Sequence, residues 1–172
     1  GDGRADLVGV QMNNTGSKKT EVHVLDGASN YQSWGTQLPT PLAETQPSQW
    51  QWMMGDANND NVPDLVGVAM NKTGSKKSEV HILNGATNYQ TWLTQLPTPL
   101  GETSATQWQW TMMDENNDGY SDLVAMTLNN SGSKKTEVHV LSGASNYQTW
   151  LTQVPTPLGE TSASQWRFLG GP

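Results

Sequence analysis

The chain has no cysteine among its 172 residues. That excludes a disulfide framework, a thiolate metal centre and a thiol nucleophile. It does not exclude secretion, because bound ions or a large repeated core can replace disulfides. Basic residues are scarce: 9 Lys and Arg against 16 Asp and Glu leave a formal net charge of -7. Such a deficit argues against a nucleic-acid partner, since phosphate contacts need a surplus of Lys and Arg. It is compatible with cation uptake. No stretch approaches the roughly 20 apolar residues needed to cross a membrane as a helix, and no secretory leader is visible. Phenylalanine occurs once, whereas tryptophan occurs 8 times. Nor does an i, i+3, i+4 stripe persist anywhere, so helix is not expected.

What the sequence does have is a repeat. Asp6, Asp64 and Asp122 are separated by a step of 58 residues, and the same step relates Glu21, Glu79 and Glu137. It also relates His23, His81 and His139, then Tyr31, Tyr89 and Tyr147, then Trp34, Trp92 and Trp150. No gap is needed. In the second unit four candidate strands stand between turn signals: "QWQWMM", "DLVGVAM", "SEVHIL" and "YQTWLTQL". The first alternates Trp50, Trp52 and Met54 with Gln49, Gln51 and Met53, a period of two with one aromatic face. "NKTGSKK" reads as a solvated hairpin tip, "NGATN" links the third strand to the fourth, and "PTPLGETSATQ" leads to the next unit.

Four antiparallel strands repeated at a strict step predict an all-β chain with the signature of β-propeller blades. The boundaries are 1–49 for a first unit lacking its first strand, 50–107 and 108–165 for complete units, and 166–172 for a strand that opens a further unit. Propellers close with about four to eight blades, so three are too few. The expectation is a ring closed by oligomerisation, six blades from two chains being the simplest symmetric solution. Residues 166–172 of one chain would then complete the first unit of another. A start inside a motif leads us to expect a cut or engineered terminus.

That motif is acidic. Asp56, Asn58, Asp60 and Asp64 occupy loop positions 1, 3, 5 and 9, with the Val62 carbonyl at position 7. Asp114, Asn116, Asp118, Tyr120 (carbonyl) and Asp122 repeat the arrangement. Hard oxygen ligands on a short flexible loop suit Ca2+. The EF-hand pattern also requires a Glu at position 12 and flanking helices, which these loops lack. The bland reading is an Asx-rich turn capping strand ends, but clustered carboxylates repel one another without a cation. The first unit keeps only Asp2 and Asp6, so a weak or empty loop is expected there.

These residues resemble the integrin-type propeller repeat, also called FG-GAP or VCBS repeat, over the whole chain. The resemblance implies a structural calcium that pins the hairpin between the first two strands of each blade. Asn61 stands where that family has glycine. The second half of each unit, as in "EVHVLSGASNYQTWLTQVPTPLGETSASQW", is similar to integrin-like propeller lectins, which bind saccharides between blades.

A sugar site needs an aromatic face together with carboxylate, amide or imidazole partners. Candidate ligand residues are Glu21, His23, Tyr31 and Trp34 in the first unit and Glu79, His81, Asn88, Tyr89 and Trp92 in the second. Glu137, His139, Asn146, Tyr147 and Trp150 follow in the third, with Glu102 and Trp108 also on offer. Against this, Trp50, Trp52, Trp108 and Trp110 fit a core between blades, and Glu79 with His81 could be a polar pair on a solvated face. Sequons at Asn13, Asn71 and Asn129 read as turn chemistry rather than glycosylation. Catalysis is not expected: there is no G-x-S-x-G elbow, no H-E-x-x-H and no P-loop. The expected setting is extracellular, with carbohydrate and a second copy of the chain as partners. The competing class is a structural or protein-binding propeller.

Overall fold

The structure, a computed structural model, describes residues 3–170. Eleven strands form three antiparallel sheets. The first holds β1 (Leu7–Gln11), β2 (Lys19–Leu25) and β3 (Trp34–Ala43) in that order. The second holds β4 (Trp50–Gly55), β5 (Asp64–Ala69), β6 (Lys77–Leu83) and β7 (Trp92–Gly101). β8 (Trp108–Met113), β9 (Asp122–Thr127), β10 (Lys135–Leu141) and β11 (Trp150–Gly159) make the third. The all-β architecture and the repeated antiparallel meander are as the sequence predicts. There is no α-helix among the described residues.

One boundary needs correction. The fourth strand does not span Tyr89 to Leu96; it begins at Trp92 and runs through Pro97 and Pro99 to Gly101. Prolines are acceptable there because β7 is an edge strand, where an N–H is not required by a further neighbour. A bulge between Lys77 and Glu79 takes up the irregularity. Tyr89 belongs instead to a turn. After each third strand a short turn is capped by Asp26, Asn84 or Ser142, and Tyr31, Tyr89 and Tyr147 each donate a backbone N–H to that residue's carbonyl at 2.9 Å.

The pleat decides which residues face which sheet. On β5 and β6, Val66, Val68, Val80 and Ile82 lie on one face and pack against Trp110, Met112, Leu123, Leu141 and Tyr147 of the third sheet. The opposite face carries Leu65, Leu83, Trp52 and Met54, which meet Val8, Val10, Val22 and Val24 of the first. The second sheet is thus buried on both faces, and all six residues of β5 are buried. Fully burying each such aliphatic side chain contributes about 1.5–3 kcal/mol. Gly67 is required here: a Cβ on it would stand 2.5 Å from the Trp52 ring, so the tryptophan lies directly on glycine backbone.

The end of the chain behaves differently. Residues 166–170 run alongside β8 without pairing as a strand among the described residues. Gln109 holds them, donating from Nε2 to the Trp166 carbonyl at 2.7 Å and accepting from the Phe168 N–H at 3.0 Å. Gln51 of β4 similarly reaches the Trp110 carbonyl of β8 at 2.9 Å.

Candidate functional site: acidic loops and the clefts between sheets

Each acidic loop joins the first two strands of its sheet and is folded around its own carboxylates. In the loop between β4 and β5, Asp56 accepts the N–H groups of Asp60 and Asn61 at 3.1 and 2.8 Å. Asp60 accepts the Val62 N–H at 2.8 Å and the Asn58 side-chain amide at 2.8 Å. Asp64, fully buried, accepts Ala57 N–H on one oxygen and Gly85 N–H on the other, at 3.0 and 2.8 Å. Asp114, Asn116, Asp118 and Asp122 reproduce the pattern between β8 and β9, with Gly143 in place of Gly85.

Burial pushes the Asp64 and Asp122 carboxyls above the usual carboxylate range. Backbone N–H groups oppose the shift, and the neighbouring loop aspartates add to it. The donor set suits a hard cation, because a carboxylate offers about four acceptor sites and each of these carboxylates engages two. Among the described residues, however, no three acidic or imidazole side chains are gathered into a cage. The first unit's Asp6 is exposed and accepts the Gly27 N–H at 2.9 Å. Asp2 lies outside the described residues.

The two complete loops also tie the second and third sheets together. The Ser121 N–H donates to the Asp56 carbonyl at 2.7 Å, and the Asp56 N–H donates to Ser121 Oγ at 3.0 Å. A cleft opens between adjacent sheets, and it occurs twice. Between the first and second sheets it measures about 620 Å3 and is lined by Val24, Thr36, Val62, Gly85, Asn88 and Tyr89. About 340 Å3 lies between the second and third, lined by the residues 58 positions on: Ile82, Thr94, Tyr120, Gly143, Asn146 and Tyr147.

Consecutive left-handed residues aim the Asn–Tyr pair: φ is +53° and +63° at Asn88 and Tyr89, and +53° and +60° at Asn146 and Tyr147. A tyrosine rarely adopts that region, and such backbone concentrates at functional positions. Asn88 and Asn146 are exposed, and Thr94 Oγ donates to Asn146 Oδ1 at 3.3 Å across the second cleft. Tyr147 is buried, its hydroxyl donating to the Ser121 carbonyl at 3.2 Å, and burial drives its phenol far above the usual value. Tyr147 thus forms part of the wall of the second cleft.

The other candidate ligand residues form a separate cluster, repeated three times. His81 Nε2 stands 3.3 Å from Glu79 Oε2, and its ring lies 4.8 Å from Trp50 and 6.1 Å from Trp92. His139, Glu137, Trp108 and Trp150 match it, as do His23, Glu21 and Trp34 in the first unit. The polar pair runs along one strand, not across strands, on a half-buried face. Desolvation holds the His81 and His139 imidazoles below their usual value, against the pull of Glu79 and Glu137. Ser75 and Ser133 hydroxyls donate to Glu79 and Glu137 at 2.6 and 2.7 Å. Trp50, Trp52 and Trp108 are half-buried and Trp110 is buried, as a core between sheets requires. Glu102 holds the Thr73 N–H at 2.9 Å and so fixes a hairpin.

Sequence reasoning missed Thr36, Thr94 and the glutamines that bridge sheets. Gln90 Nε2 donates to the Pro39 carbonyl at 3.2 Å, and Gln148 Nε2 to the Pro97 carbonyl at 3.1 Å. Their common step of 58 residues is the signal that would have found them. Comparison with known proteins finds no matching family, and no curated protein is significantly similar.

Proposed function

We propose that this chain is a non-catalytic, calcium-stabilised β-propeller lectin. In this reading each sheet is a blade, and two copies supply a six-bladed ring. The observation that carries it is the recurrence of one cleft, with matching residues, at both junctions between sheets. Each pairs an apolar wall with a threonine hydroxyl and an exposed asparagine amide, the groups that recognise a saccharide's C–H faces and hydroxyls. Identical sites suit multivalent glycans, since linked weak contacts multiply into avidity. The Glu–His–Trp clusters then serve as packing between blades.

Calcium held by Asp56, Asn58, Asp60, the Val62 carbonyl and Asp64, and by Asp114, Asn116, Asp118, the Tyr120 carbonyl and Asp122, would offset the repulsion within each loop. Because the loop between β4 and β5 is tied to the loop between β8 and β9 through Asp56 and Ser121, ordering it would also order the cleft between the second and third sheets. Loops of modest affinity fill at extracellular calcium concentrations, which fits a secreted protein.

A glycan array probed with and without chelator tests the reading. Binding to chemically related saccharides, abolished in N88A/N146A, is the expected result. A blank array from protein that is folded by circular dichroism and calcium-loaded overturns it in favour of a structural or protein-binding ring.

A further inference from the structure

The two junctions inside the chain use one pair of surfaces, and the first and third sheets carry the two halves of that pair again. On the first sheet the face matching Leu65, Leu83 and Trp92 is open: Leu7 is 58% exposed and Trp34 54%. On the third sheet the matching face is largely covered by the chain's own C-terminal residues, with Val124, Met126 and Val140 buried beside Ala163 and Phe168; Val138 alone stays half-buried, where its counterparts Val22 and Val80 are 1% and 0% exposed. The cleft is halved in the same way. Asn30 and Tyr31 stand on the first sheet with the left-handed backbone of their counterparts, φ +55° and +63°. Thr152, the counterpart of Thr36 and Thr94, stands on the third.

We infer that the open face of the first sheet receives the third sheet of a second copy, so that a further saccharide cleft is built from Thr152 of one chain and Asn30 of the other. The purpose given to that cleft rests on the lectin reading; the association itself does not.

Strand register supplies an independent argument. β4 pairs with β5 so that Trp50 faces Ala69 and Trp52 faces Gly67, and β8 pairs with β9 so that Trp110 faces Ala125. Carried on by one step of the repeat, Trp166 faces Gln11 and Phe168 faces Gly9 of the next chain. Leu169, in the unpaired segment, is the most exposed large apolar side chain at 86%. Gly9 sits mid-strand, where glycine costs stability, yet a Cβ there would meet nothing nearer than the His23 carbonyl oxygen at 3.7 Å. Within one copy nothing demands this glycine. Phe168 of a second copy, lying on it as Trp52 lies on Gly67, does. By the same step, Gln32 reaches the Pro155 carbonyl of the second copy, as Gln90 reaches Pro39 and Gln148 reaches Pro97.

Sedimentation equilibrium of the whole chain tests this, since G9V fits within one copy but blocks Phe168. Wild type is expected at twice 18.7 kDa, and G9V and L169E at half the wild-type mass, with circular dichroism unchanged. The chain has no cysteine, so oxidised N30C/T152C should give a single disulfide-linked dimer band and no ladder. A wild-type monomer, a G9V dimer, a ladder, or absence of the cross-link overturns the inference. Monomeric protein that still binds the array leaves the lectin reading standing; cross-linked dimers with a blank array remove the lectin reading alone.

Discussion

Residues 6–10 and 64–68 have the same sequence, DLVGV, and opposite fates. Leu65 is 1% exposed and Leu7 58%; Asp64 is fully buried and Asp6 exposed. Five identical residues form a strand in both places, so strand formation here is a property of the segment and its hairpin partner. Burial is a property of what stands beside it. β5 lies between β4 and β6, with a sheet against each face, whereas β1 has β2 on one side and no neighbour on the other among the described residues. The same contrast separates the acidic loops, because Asp64 is desolvated by packing that Asp6 lacks.

The contrast breaks most sharply at the leucines. L65A should cost about 3 kcal/mol, within the range for a large-to-small change in a packed core. L7A should cost under about 0.5 kcal/mol in protein held monomeric by G9V, as expected for an exposed position; urea titration measures both. Next comes G67V, whose side chain must displace Trp52. A loss of about 1–3 kcal/mol is expected from overpacking, while G9V leaves the unfolding midpoint of monomeric protein nearly unchanged.

A pH series sharpens the comparison further. His81 and His139 are held below their usual value by burial. The unfolded chain therefore takes up protons that the folded chain refuses, and stability falls as pH drops through about 6.5. H81Q/H139Q should flatten that limb of the curve of melting temperature against pH. Smallest is Q90A, which removes one exposed tie between sheets and should cost about 0.5–1.5 kcal/mol, read as a small shift in urea midpoint.

Most of the strand order was legible because period-two alternation and a strict step leave few alternatives. The fourth strand was misread because proline normally ends a strand, and nothing in one sequence says that Pro97 and Pro99 fall on an edge. The hairpin tips hold a detail that their residue types do not announce: Lys72 and Lys76, not Gly74, take the left-handed conformation, at φ +58° and +60°. Side-chain ties to the backbone permit this, as Thr73 Oγ donates to the Lys77 carbonyl at 2.7 Å. At the site, composition suggested one mixed constellation of Glu, His, Asn, Tyr and Trp. The pleat divides it, since Glu79 and His81 sit within a sheet face while Asn88 and Tyr89 sit in a turn at its rim. Aromatic and carboxylate residues alone could not reveal that division; the threonine and glutamine partners could.

The duplicated DLVGV segment has a consequence for how the chain folds. β4 can pair with β5, its native partner, or with β1, which offers the same five residues. Eight residues separate Gly55 from Asp64, whereas thirty-eight separate Gln11 from Trp50. Closing the shorter loop is favoured by about 1.4 kcal/mol of chain entropy, roughly a tenfold advantage in the encounter. That margin makes the local hairpin win most attempts, and leaves about one in ten to be undone before the native sheets can assemble.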